Sequence, residues 1–182
     1  MKNFAKLLKE NEDYKAYMKQ LAELEQDRKF CRHGEDHLME VASLAAWAAS
    51  VCRVPHDPDI IILAAMLHDI GRVYGNAHHD ESSAKIAQEL MVQIRVPEDI
   101  RVRVLDLIEA HRNKDPKKYL IKTYDQLRDA LEEVSEVERL AFVFAWADNR
   151  VRNCYECKAT AECYWSESRK NKEPIYYEVF YL

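Results

Sequence analysis

Histidine and aspartate recur where this chain should be burying apolar surface. His37 opens one apolar helical stretch, His68 and Asp69 close the next, His111 closes a third, and Asp148 ends the apolar part of a fourth. Ionisable groups are costly in such places unless they are paired or bound to metal. A divalent transition metal answers that cost, because neutral imidazole nitrogens and carboxylate oxygens are ligands for Fe, Mn, Co, Ni or Zn. His68 and Asp69 form the strongest pair. Adjacent helical residues point ~100° apart, but near a helix end both can still reach one centre. With two carboxylate oxygens, Asp69 could bridge two ions while His68 binds one. A second chemical group follows Asp148, where Cys154, Cys157 and Cys163 form C-x2-C-x5-C.

Holding these residues together requires helices, and the composition supplies them. The 182 residues include only 3 glycines and 5 prolines, and 48% are apolar, enough for a core. Apolar residues at helical spacing predict one or two surface helices over Phe4–Lys29 and a core helix over Asp36–Val51. Asp57 is placed to cap the next helix, with Pro58 in its first turn. Ile60–Leu67 is apolar all round, so this helix should be central, with Gly71 as its left-handed stop. Further helices are expected over Glu81–Gln93, Glu98–Ala110, Asp125–Glu133 and Glu136–Arg152. The charged stretch Arg112–Lys118 reads as an exposed loop. The aromatic tail Pro174–Leu182 should pack on the core or on a second subunit, a weak pointer to a homodimer.

A formal charge of −5 with the signs interspersed argues against a dedicated nucleic-acid binder, though not against a nucleotide substrate. Met1–Glu10 lacks an unbroken apolar stretch, which predicts no signal peptide. The longest apolar run, Ile60–Leu67, falls far short of the ~20 residues needed to span a bilayer. The expected compartment is the cytoplasm, where the five cysteines would be metal-bound or buried rather than disulfide-linked.

The order of these elements resembles the HD superfamily of metal-dependent phosphohydrolases. His37 followed by Val41-Ala42 resembles that family's first-histidine helix. Leu67-His68-Asp69-Ile70-Gly71-Arg72 resembles its name-giving motif. His79-Asp80-Glu81-Ser82-Ser83-Ala84 resembles the segment that carries a further histidine, Ala110-His111-Arg112 the next, and Ala147-Asp148 the closing aspartate. The resemblance implies an all-α, HD-domain-like helical bundle with its metal site in a central cleft. It implies that His37, His68, Asp69 and Asp148 hold one ion, and that His79, His111 and the bridging Asp69 hold a second. His33 rivals His37, but only His37 has the right spacing to Val41-Ala42; adjacent His78 could serve in place of His79. On this reading residues 1–30 are N-terminal surface helices, 31–153 the hydrolase domain, and 154–182 a cysteine-containing extension packed on it.

The implied activity is hydrolysis of a phosphate ester of a nucleotide or other small molecule. Two ions ~3.5–4 Å apart would clamp the phosphoryl group and lower the pKa of a bound water. Asp69, Arg72 and Arg112 are the catalytic candidates; Arg72, Arg112 and Lys114 are candidates for phosphate contacts, with plain solvation as the competing reading for these cations. The same four-His, two-Asp set serves di-iron oxygenases in the superfamily, and a non-catalytic sensory or binding domain is the reading from another class. No Gly-Tyr-Pro motif of the cyclic-dinucleotide branch is present.

If His37 and Asp148 meet at a metal, Cys31, six residues before the one, could approach Cys154, six residues after the other. Cys31, Cys154, Cys157 and Cys163 are therefore candidates for a structural metal site, with zinc the first choice, an iron–sulfur cluster the second, and reduced thiols the alternative. Cys52 reads as core and His56 as surface.

Overall fold

The computed structural model describes residues 3–112 and 117–175, and its regular structure there is helical throughout. The helices are α1 (Phe4–Glu10), α2 (Glu12–Glu25), α3 (Glu35–Val51), α4 (Pro58–Leu67), α5 (His79–Gln93), α6 (Glu98–Ala110), α7 (Lys117–Leu120), α8 (Tyr124–Glu132) and α9 (Arg139–Arg150). Tight 3-10 turns occupy Ile70–Tyr74 and Thr160–Glu162. Among the described residues no helix is long and apolar enough to cross a membrane.

The all-round apolarity of α4 puts it at the centre. Ile60, Ile61 and every residue from Leu63 to Leu67 are buried. Each large apolar side chain so buried contributes roughly 1.5–3 kcal/mol. Asp57 caps the helix, its side chain accepting the Asp59 N–H at 2.9 Å, with Pro58 in the first turn. α3 and α6 pack against α4, α9 packs against α3 and α6, and α5 lies on α6. The N-terminal helices are amphipathic rather than merely superficial. Asn3 and Asn11 cap them, Leu8 and Leu21 are buried, α1 lies on α4, and α2 lies on the Ile70–Tyr74 turn.

Gly71 does not end α4 in a left-handed conformation. It lies inside the Ile70–Tyr74 turn, and the positive-φ residues nearby are Gly75 (φ 116°) and His78 (φ 55°). Glycine is needed at 71 for a different reason, close approach. Its N–H donates to Ser83 Oγ at 2.8 Å, and a Cβ would stand 2.3 Å from Ser83 N and 2.4 Å from His79 O. The start of α5 is thereby pressed against the turn that carries Asp69. α5 itself begins at His79, two residues earlier than its apolar spacing indicates, and α7 begins within the stretch read as loop. The tail beyond Ile175 and Lys114 lie outside the described residues.

α9 carries the largest buried side chains, Phe144 and Trp146; the Trp146 indole donates to Ile121 O at 3.1 Å. Its C-terminus is closed by a residue from far along the chain. The buried Asn171 amide donates to Asn149 O at 2.8 Å and to Arg150 O and Arg152 O at 3.0 Å. Asn171→Ala should leave these end-of-helix carbonyls under-satisfied and cost about 1–3 kcal/mol. Urea denaturation would show this as a lowered midpoint with an unchanged slope.

Candidate metal centre

Five elements bring the ionisable residues to one place. His37 sits in the first turn of α3, His68 caps the C-terminus of α4, and Asp69 follows it. His79 is the first residue of α5, His111 caps the end of α6, and Asp148 lies in the last turns of α9. His68, Asp69, His79 and His111 are all buried. The left-handed His78 turns its own ring outward to Glu81 and sets His79 inward. His79, not His78, is in the centre.

The six residues form two groups that share Asp69. In each group one ligand atom per residue lies within 4.8 Å of all the others: His37, His68, Asp69 and Asp148 in the first; Asp69, His79 and His111 in the second. Asp69 Oδ2 faces His68 Nε2 at 3.3 Å and His37 Nε2 at 3.7 Å, while Oδ1 faces His79 Nε2 at 3.1 Å. Asp148 Oδ1 completes the first group, 3.2 Å from His37 Nε2 and 3.6 Å from His68 Nε2. Each oxygen of Asp69 thus serves one side.

The tautomers show that these atoms are arranged as ligands. His68 Nδ1 meets Ala65 O at 2.9 Å, His79 Nδ1 meets Asn76 O at 3.1 Å, and His111 Nδ1 meets Ile108 O. A carbonyl only accepts, so in each neutral ring the proton sits on Nδ1 and Nε2 is bare. Yet His79 Nε2 and His111 Nε2 stand 3.1 Å apart, two lone pairs in contact. His37 Nε2, His68 Nε2 and Asp69 Oδ2 are buried without any hydrogen-bond partner. Such unpartnered buried polar atoms are expensive. A shared cation turns each repulsion into ligation, and the donor set of imidazole and carboxylate suits a divalent transition metal.

Charge in the metal-free chain points the same way. Burial opposes a charge on His68, but the carboxylates of Asp69 and Asp148 outweigh it and push its pKa up to about 10. Burial, reinforced by that positive ring, pulls His111 down to about 4 and keeps it neutral. Burial would raise both carboxyls; His68 and Arg72 hold Asp69, and His37 and His68 hold Asp148, well below the usual range instead. A proton on His68 therefore stands in for the metal at neutral pH. Loading should release about one proton per chain, and affinity should rise about tenfold per pH unit while His68 is protonated. Calorimetric titration with Mn2+ in buffers of different ionisation heat checks this; a buffer-independent heat would contradict it.

A cleft of about 460 Å³ opens over the centre. Arg28, Arg72, Arg112 and Arg152 line it. Arg72 is partly committed, its Nε on Asp69 Oδ1 at 2.6 Å and Nη1 on Asn76 Oδ1 at 2.9 Å, so it steadies the shared carboxylate. Arg112 Nη1 reaches Asp80 Oδ1 at 3.2 Å. Trp165 and Tyr119 form an aromatic wall of the cleft under the guanidinium groups of Arg152 and Arg169. The four cysteines form no group as tight as the His/Asp sets.

One feature of the cleft leaves almost no mark in the sequence. His33 lies outside both ligand groups, yet it is buried at the cleft, with Nε2 3.9 Å from Asp69 Oδ2. Its Nδ1 donates to Glu25 Oε1 at 2.7 Å, and its backbone N–H donates to Glu25 Oε2 at 2.5 Å. Glu25 is also paired with Arg28 at 3.0 Å. Burial would raise the Glu25 carboxyl, but its bonds to His33 and the Arg28 charge hold it below its ordinary value. Burial lowers His33 despite that partner. The result is a neutral imidazole with Nε2 bare toward the cleft. In the sequence His33 shows only as a rival to His37, and Glu25 is one of several acidic residues of α2.

Comparison with known proteins agrees with this geometry. A family model described as HD domain matches residues 34–153. An uncharacterized protein of Clostridium beijerinckii is 31% identical over 168 residues, covering 91% of this chain and 93% of the relative. No solved structure matches at a significant level.

Proposed function

The chain belongs to the HD-domain family, and on that footing we propose that it is a metal-dependent phosphohydrolase acting on a small-molecule phosphate ester. One observation carries the reading: a single buried carboxylate, Asp69, presents one oxygen to each of two clusters of metal-ligating side chains. His37, His68, Asp69 and Asp148 would hold one divalent ion, and Asp69, His79 and His111 a second. Bound there, the metal supplies Lewis acidity and a hydroxide nucleophile at neutral pH.

The rest is work for side chains. Arg72 fixes the orientation of the Asp69 carboxylate. Arg28, Arg112 and Arg152 give the cleft a cationic rim that attracts a phosphate and neutralises charge developing on its oxygens. His33, held by Glu25, offers Nε2 to take up a proton at the reacting centre. Tyr119 and Trp165, with the Arg152 and Arg169 guanidinium groups over their rings, bound the cleft beside the centre.

The test is a phosphatase screen of protein loaded separately with Mn, Co, Ni, Mg or Fe, run with and without oxygen. Hydrolysis that follows metal loading and ignores oxygen is the expected result. Turnover only with iron and oxygen would favour the oxygenase reading, and no turnover with any ester would favour a binding domain. His33→Ala should lower kcat about 100-fold with KM little changed and flatten the acidic limb of the pH profile; an unaltered profile would make His33 merely structural.

A further inference from the structure

The segment that follows α9 has almost no apolar burial to hold it in place. From Arg152 to Trp165 it runs through successive turns, with Cys154 N on Arg152 O, Thr160 N on Cys157 O and Cys163 N on Thr160 O. Ala159 is its one buried apolar residue. A chain with so little apolar burial needs another source of order, and a thiolate-bound metal is one.

Its three cysteines converge with a fourth from the other end of the chain. Cys31, Cys154, Cys157 and Cys163 line one cavity of about 260 Å³ that adjoins the metal cleft and shares Cys31, His37, Arg152 and Cys163 with it. All four are free and half-buried. They act on one another electrostatically: after burial, the charge of Cys154 and then Cys163 pushes the Cys31 thiol up. Sequence spacing alone leaves three outcomes open, and geometry separates them. Four sulfurs at 2.3 Å from one zinc stand about 3.8 Å apart. Among the described residues, however, the groups with ligand atoms all within 4.8 Å of one another are the two His/Asp sets, and no three thiols join them. Thiols that line one cavity yet are spaced more loosely than the sulfurs of a single zinc site suit a polynuclear centre, in which each thiolate binds a different iron. The charges around the cavity agree. Lys29, Arg32, Arg152 and Lys170 line it against Asp36 and Glu40, a cationic surplus that would offset an anionic thiolate-bound cluster.

We propose that Cys31, Cys154, Cys157 and Cys163 hold an iron–sulfur cluster of the [4Fe–4S] class. The cluster ties the C-terminal segment to the loop before α3. Cys31 and Cys163 also line the metal cleft, and Tyr164 and Trp165 follow directly as its wall. Its role is thus to fix one side of the metal cleft. The assignment does not depend on the hydrolase reading, since it concerns different residues and a different ligand.

The experiment is anaerobic purification of the full chain, with iron, zinc and acid-labile sulfide measured as isolated and after incubation with sulfide and equal amounts of ferrous and ferric iron, which together match the oxidation level of [4Fe–4S]2+. Sulfide separates this site from iron held by the His/Asp centre. Iron and labile sulfide in equal amounts, about four of each per chain beyond the iron retained by a Cys154→Ser/Cys163→Ser variant, is the expected result. Broad visible absorption that bleaches with dithionite should accompany it. Cys52→Ser should retain the sulfide. Zinc at one per chain with no sulfide, or four thiols that react freely and bind neither metal in wild-type protein, would overturn the cluster. Labile sulfide in the wild-type protein decides between these outcomes, even where a variant fails to fold.

Discussion

Asp69→Ala is expected to abolish tight divalent-metal binding at both halves of the centre and, with it, hydrolysis. The side chain is buried and divides its two oxygens between the clusters. Loss of a residue that merely orients a ligand costs about 10–100-fold in metal affinity. Loss of a shared ligand should exceed that, and turnover should fall by at least about 10³-fold. The variant should still fold. Removing the carboxylate deletes a buried charge, and His68, freed from one of the two carboxylates that raise it, loses much of its reason to hold a proton. Metal content by mass spectrometry and turnover on whichever ester the screen identifies would be read together. Asp148→Ala offers the contrast. Asp148 belongs to the first group only, so its loss should weaken one ion and leave the His79–His111 side loaded. Equal loss at both halves in Asp148→Ala would argue against two separable sites.

The second large effect is expected at a residue with no chemistry. Gly71→Ala would put a methyl group 2.3 Å from Ser83 N and 2.4 Å from His79 O, both backbone atoms that cannot swing aside. Overpacking in a tight contact usually costs about 1–3 kcal/mol, and this one meets backbone on two sides, so about 3–5 kcal/mol is expected. If the fold survives, relief must come from moving the start of α5 away from the Ile70–Tyr74 turn. That displaces His79 from Asp69 and breaks the Gly71 N–H to Ser83 Oγ bond. The surviving protein should therefore bind one ion rather than two. Thermal denaturation and metal counting check the two halves of the prediction. Ser83→Ala, which loses only the hydrogen bond, should cost about 1–3 kcal/mol and keep both ions.

Particular residues show what the chain reveals before it folds. α4 is legible because its apolarity is continuous, and its start because Asp57-Pro58 is a capping signal. α6 runs from Glu98 to Ala110 as its spacing indicates. His37, His68, Asp69, His111 and Asp148 stand out for one physical reason: each is ionisable and each sits at an apolar helix end or buried face. His79 carries no such mark. The first large apolar residue of α5 to be buried after it is Ile86, so its turn reads as loop, and only the family resemblance picks it out. The start of α9 is read three residues early because Ser135–Glu138 is polar turn that continues the helical spacing without joining the helix. Contacts between distant segments leave no local trace at all. Glu25 and His33 are eight positions apart across a helix end, and Asn171 closes a helix that stopped at Arg150. The crowding around Gly71 likewise depends on where α5 lies, and no spacing rule carries that information.

Asp69 would share its two oxygens between two metal ions. Anomalous diffraction from crystals soaked in Mn2+, recorded at energies on either side of the manganese edge, tests it most directly. Two peaks about 3.5–4 Å apart, one beside each oxygen of Asp69, are the predicted result. Peaks remote from that carboxylate, or none at saturating manganese, would contradict it.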